Sequence, residues 1–140
     1  MIQLITDRTK SDVLLGTEKG CYGAADLNRV ERAVEELYRL AKAMDVPYVP
    51  QVKIDWALPE LFSAEQWPTQ RQMARYLRNV SRLCEAVEIA ASLPPSMEHL
   101  TWEGANQIES ALLAVHTRIQ NVLCTLRYSG EIFAGEENGI

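Results

Sequence analysis

The sequence predicts an all-α fold: a three-helix bundle with a proline-rich crossover between its first and second helices and short extended N- and C-terminal segments. Three observations carry this. Apolar residues recur at intervals of three and four over three separate stretches, the spacing that lines one side of a 3.6-residue helix. Pro47, Pro50, Pro59 and Pro68 cluster between the first and second stretches, where no long helix can pass. One apolar stripe on each of three helices cannot stay in water, and packing the three together is the simplest way to cover them.

The first helix is expected over about residues 24–45. Leu27, Val30, Val34, Leu37, Ala41 and Met44 form its stripe, Asp26 stands where a cap or first-turn acid is favoured, and Pro47 stops propagation. The crossover follows. Tyr48 to Ile54 is expected to be extended, and Ser63 to Gln66 could make one short turn. Trp56, Leu58, Leu61, Phe62 and Trp67 are too many large apolar groups for a free linker, so the stretch is read as pinned over the bundle.

The second helix is expected over about 70–91, opened by Thr69 with Gln72 three residues on, a capping-box spacing. Met73, Tyr76, Leu77, Val80, Leu83, Cys84 and Val87 share one side. Arg71, Arg75, Arg78 and Arg82 are spaced four, three and four, so they form one narrow basic stripe opposite. Pro94 and Pro95 then break the chain. The third helix, about 102–127, opens after Thr101 and carries Ala105, Ile108, Leu112, Val115, Ile119, Val122, Leu123 and Leu126 with no interrupting proline. From 128 to 140 the sequence holds three glycines and no helical period, so a flexible or extended tail is expected. Its Glu131 to Phe133 are candidate partners of Leu4 and Ile5 in a small ribbon.

At 140 residues, folding hides roughly two-thirds of the unfolded chain's surface, which supports one core and one domain over 1–140. The formal net charge is -5, and Glu131, Glu136 and Glu137 supply much of it. That balance disfavours nucleic acid and anionic lipid as partners. No stretch holds the roughly 18 uninterrupted apolar residues of a membrane span, and the start of the chain lacks a signal-peptide apolar run, so a cytoplasmic protein is expected. Cys21, Cys84 and Cys124 make no CxxC pair. Cys84 and Cys124 are expected as buried, reduced thiols.

Catalysis needs convergent groups, and few candidates exist. His99 lies in a polar turn and His116 on a helix, neither in a metal-ligand spacing. Glu31, Glu35 and Glu36 alternate with Arg32, Arg39 and Lys42, which reads as a solvated, mutually paired face. Gly16, Gly20 and Gly23 do not make a phosphate-cradling loop. The sequence therefore nominates no catalytic residue, no cofactor and no metal. The arginine stripe is the one surface feature with a possible partner: a solvated face, docking onto an acidic protein surface and nucleic-acid contact are the three readings it allows.

The run KGCYGAADLNRVERAVEEL resembles the KGxYNxxDLNRVExAV signature of a family of small prophage proteins encoded in the tail-gene region of temperate phages of Gram-positive bacteria. Further blocks follow in order. KIDWALPELFSAEQWPTQRQMARYLRNVSRL is similar to TDW…PT…MARYLxNV, SMEHLTWEGANQIESALL to SMExLTyxxANxIE, YSGEIFAGE to SGEiyaGE, and the opening ITDRT matches as well. Relatives carry a longer segment between the DRT opening and the KG turn, here only Lys10 to Glu18. The resemblance implies a setting among tail-tip, baseplate and receptor-binding genes.

On that basis a non-enzymatic virion protein is expected, binding other phage tail proteins, homo-oligomeric, present in the host cytoplasm during assembly and then in the virion tail. Arg71, Arg75, Arg78 and Arg82 would orient partners by charge, Trp56 and Trp67 would anchor the interface, and Ile132 and Phe133 could add a strand to a neighbour. Two other classes stay open. A phage-encoded effector inhibiting a host defence or regulatory protein would need a continuous acidic face, and a carbohydrate-binding module would need exposed aromatic platforms.

Overall fold

Three threonines open helices in this chain. The computed structural model describes residues 3–44, 49–56 and 68–139, with side chains given through Thr125 apart from Glu18 and Ala43. Thr9 opens α1 (Lys10–Leu15), where its hydroxyl accepts from the Asp12 amide at 3.2 Å and the Asp12 carboxylate accepts from the Thr9 amide at 2.9 Å. The Thr9 hydroxyl also donates to the Asp12 carboxylate at 2.9 Å, and this bond first, then the one from the Thr9 amide, holds the Asp12 carboxyl below the usual range. Gly16 closes the helix in the left-handed region, at φ 65. Thr69 opens α3 (Gln70–Ala86) through the same reciprocal pair with Gln72, at 3.1 and 2.9 Å, as the spacing predicts. Thr101 opens α4 (Trp102–Gly139), accepting from the Gly104 amide at 3.0 Å.

The remaining helix, α2 (Ala24–Ala41), starts at Gly23, which has no side chain to cap with. Asp26 reaches back and accepts from the Gly23 amide at 2.8 Å. Short 3-10 turns at Glu18–Gly20 and Lys42–Met44 flank α2. The regular elements among the described residues are thus all helices, with no strand.

Three predicted ends move, the first helix being α-helical only to Ala41 and 3-10 from Lys42 to Met44 instead of running to 45. The second long helix stops at Ala86 rather than 91, because Glu88 enters the left-handed region at φ 59. The amide of Glu88 then donates to the Glu85 carbonyl at 3.1 Å and that of Ile89 to the Cys84 carbonyl at 2.8 Å, the double closure usually built on glycine. The diproline at 94–95 only sets an outer limit. A glutamate there costs about 1 kcal/mol in backbone strain, so Glu88→Gly is expected to raise the unfolding free energy by about that amount in urea titration.

The third helix runs on to Gly139, so the expected extended tail from 128 is helical in its backbone instead. No proline follows Pro95, and nothing blocks the i to i−4 ladder. The expected ribbon fails with it: the Ile5 amide donates to the Glu109 carboxylate at 3.0 Å. The short α1 is absent from the sequence expectation.

α2, α3 and α4 each touch the other two. Leu27, Val30, Val34, Leu37 and Ala41 of α2 meet Tyr76, Val80, Leu83 and Cys84 of α3 and Ile108, Leu112, Val115 and Ile119 of α4 in one core. Each fully buried Leu, Ile or Val contributes roughly 1.5–3 kcal/mol relative to exposure. The three helices start at one end. Leu27, Met73 and Ala105, from their first turns, line one cavity there with Tyr22 and Trp102. The crossover descends along α2 against its direction, since Lys53 meets Glu31 and Trp56 meets Asn28.

Cys84 is buried, and burial pushes its thiol up to about 11, with Glu85 adding to it. Cys124 is exposed, against expectation, because position 124 falls beside the stripe of Val122, Leu123 and Leu126 rather than on it. A native thiol titration is therefore expected to modify Cys21 and Cys124 rapidly and Cys84 only after denaturation.

Candidate functional site

Burying a charge is costly unless it is paired and hydrogen-bonded, so buried ionic groups locate what a fold is built around. This chain buries five polar or charged residues among those described: Arg8, Asp26, Glu31, Asn79 and Glu109. They fall into two clusters.

The first cluster ties the N-terminal segment to α2 and α4. Glu109, fully buried on α4, accepts from Arg8 at 2.5 Å, from Arg29 at 2.7 and 2.9 Å, and from the Ile5 amide. Asp26 takes a second bond from each guanidinium, at 3.2 Å from Arg8 and 2.5 Å from Arg29. Arg8 also donates to the carbonyls of Ile5 and Lys19 and lies 5.4 Å from the Tyr22 ring centroid. Asn106 clasps the Arg8 backbone from both sides, accepting at 3.1 Å and donating at 3.0 Å. Burial opposes the charge on Arg29, but the bonds to Glu109 and Asp26 outweigh it and raise its pKa. The Tyr22 hydroxyl bonds that of Tyr76, and burial pushes both phenols up.

The second cluster ties the crossover to α2 and α3. Glu31 accepts from Arg75 at 2.6 Å, from the Lys53 amide at 3.1 Å and from the Trp56 indole N–H. Asn28 brackets the Trp56 backbone, at 2.8 Å in both directions. The Gln51 carbonyl accepts from Asn79 at 2.8 Å and from Arg75. Glu31, expected on a solvated face, is instead the hub of this cluster. Of that face, Glu35 and Arg39 do pair in the open, at 3.4 Å.

Such carboxylates, with both oxygens held by guanidinium and N–H donors, present nothing to a substrate. No described buried side-chain oxygen or nitrogen lacks a partner, and no group of three metal-ligating residues occurs among the described residues. No described helix is long and apolar enough to cross a membrane.

The predicted partner-binding residues separate. Arg71, Arg78 and Arg82 are exposed along α3, whereas Arg75 turns inward to Glu31, its side chain 20% exposed. Trp56, expected as an exposed anchor, is only 6% exposed, because its indole N–H finds its acceptor inside. Trp67 lies outside the described residues, as does the expected turn at 63–66. Ile132 and Phe133 lie on helical backbone rather than in a strand, their side chains outside the description.

What sequence reasoning missed is the concavity beside the stripe. The segment after α3 runs back along it, and Met73, Ala74, Leu77, Arg78, Ser81 and Arg82 face Leu93, Pro94, Pro95 and Met97 across a groove of about 540 Å³. Glu85 and Glu98 line it as well. The diproline was its signal, since two prolines in succession hold a chain extended rather than helical.

The chain matches no family model, no curated protein and no solved structure.

Proposed function

We propose that this chain is a non-enzymatic phage structural protein, associated with the tail tip, baseplate or fibre, that acts by protein-protein binding. In this reading it is a three-helix bundle with a proline-rich crossover, homo-oligomeric, made in the host cytoplasm and carried in the virion tail beside other tail proteins. The single observation that carries the non-enzymatic part is the saturation of its buried carboxylates: Glu31, Asp26 and Glu109 are each engaged by arginine. The phage setting rests on the resemblance of the DRT, DLNRVE, MARYL and SMEHLTW blocks.

The α3 groove is the binding face that fits this reading. It joins an apolar floor to exposed guanidinium groups, which is how interfaces combine anchoring with orientation. Mass spectrometry of purified, induced particles tests the assignment. A small fixed copy number beside the tail proteins is expected, and abundance in the lysate with absence from particles would overturn it.

A further inference from the structure

We infer that the acidic C-terminal segment of one copy of this chain docks in the α3 groove of a second copy. The inference rests on reading that groove as a protein-binding site, and it names the occupant.

Charge and composition point to this segment. The groove offers Arg78 and Arg82 above Met73, Leu77, Pro94 and Met97, with Arg71 further along the same stripe. Its complement is a segment with carboxylates on either side of one or two large apolar residues. Residues 128–140 have that composition: Glu131, then Ile132 and Phe133, then Glu136 and Glu137, with no lysine or arginine. Glu85 and Glu98 line the same groove, so like-charge repulsion restricts the incoming acids to the part beside the arginines.

Helix length makes the acceptor a second copy. α4 has 38 residues and α3 has 17, about 57 Å against about 25 Å at 1.5 Å per residue. The groove lies beside α3 and the 93–98 segment, which leads into the start of α4. An unbroken α4 carries its last turns away from that end, so a chain reaches its own groove only by breaking the helix. Joining two different patches makes a head-to-tail contact, which closes into a ring or extends into a filament.

The test is sedimentation velocity on the full chain, with circular dichroism confirming that every variant keeps its helix content. Wild type is expected to associate with rising concentration and to weaken in salt. Arg71→Glu with Arg78→Glu, and separately Glu136→Lys with Glu137→Lys, are each expected to weaken association about tenfold or more. Mixing the two charge-reversed proteins should restore it, because each then offers the other a complementary groove or tail. A wild-type chain that stays monomeric, variants that associate like wild type, or a mixture that stays apart would each overturn the inference. Presence in particles would still stand, so the two readings fail separately.

Discussion

Replacing Glu109 with alanine is expected to destabilise the chain by roughly 3–5 kcal/mol, because it takes the carboxylate from the buried Arg8 guanidinium and from the partly buried Arg29. Of the two carboxylates only Asp26 would remain for Arg8 and Arg29 to share, and the Ile5 amide would lose its acceptor. For a domain of this size that corresponds to a fall in melting temperature on the order of 10–15 °C. The opposite extreme is the exposed Glu35–Arg39 pair, where Arg39→Ala should change stability by at most about 0.5 kcal/mol. Thermal and urea unfolding of both variants checks the contrast. Equal effects would mean that the buried network adds no more than a surface ion pair.

Glu31→Ala is expected to cost a similar amount, again roughly 3–5 kcal/mol, but with a local signature. Three donors from different parts of the chain converge on Glu31: Arg75, the Lys53 amide and the Trp56 indole. Removing it unpins the crossover at 51–56, so Trp56 emission should shift to the red before global unfolding. The shift should vanish in the Trp56→Phe background, which separates this indole from Trp67 and Trp102. A loss of stability without a shift would place the damage in α3 rather than in the crossover.

Many residues of the DRT, DLNRVE, MARYLRN and ANQIE stretches are ones that hold the chain together. Arg8 and Thr9 belong to the DRT block, one in the first ion cluster and the other capping α1. Gly20 of the KG turn has no room for a Cβ, which would lie 2.3 Å from the Asp12 carbonyl oxygen. Asp26, Asn28, Arg29 and Glu31 come from DLNRVE, Arg75, Tyr76 and Asn79 from MARYLRN, and Thr101, Asn106 and Glu109 from the block around ANQIE. In the structure these residues join helices and hold the N-terminal segment and the crossover against them.

Much of the helical layout was legible because apolar periodicity and threonine caps are local signals. Ala24, Gln70 and Trp102 begin helices where spacing and capping place them. The inward turn of Arg75 was not legible, since on the helical wheel it sits with Arg71 and Arg78, and only a carboxylate 44 residues away draws it from the stripe. The burial of Trp56 agrees with reading its segment as pinned over the bundle, but its acceptor 25 residues away was not legible. α1 was overlooked although Thr9, Asp12 and Gly16 give it a cap at each end, because six residues carry too little periodicity to register.

The first ion cluster also sets an order of events on the ribosome. Its bonds span 101 residues between Arg8 and Glu109, and 104 between Ile5 and Glu109. Arg8 leaves the exit tunnel 101 residues ahead of its acceptor on α4. Until Glu109 emerges, the nascent chain holds the charges of Arg8 and Arg29 with only Asp26 between them, so they remain hydrated and the N-terminal segment stays undocked. Closure of that long loop must wait for the 101 residues between Arg8 and Glu109 to be made, and contacts of such separation are slow to form. A ribosome stalled before Glu109 has left the tunnel should therefore display a protease-sensitive N-terminal segment, and the released, folded chain should not.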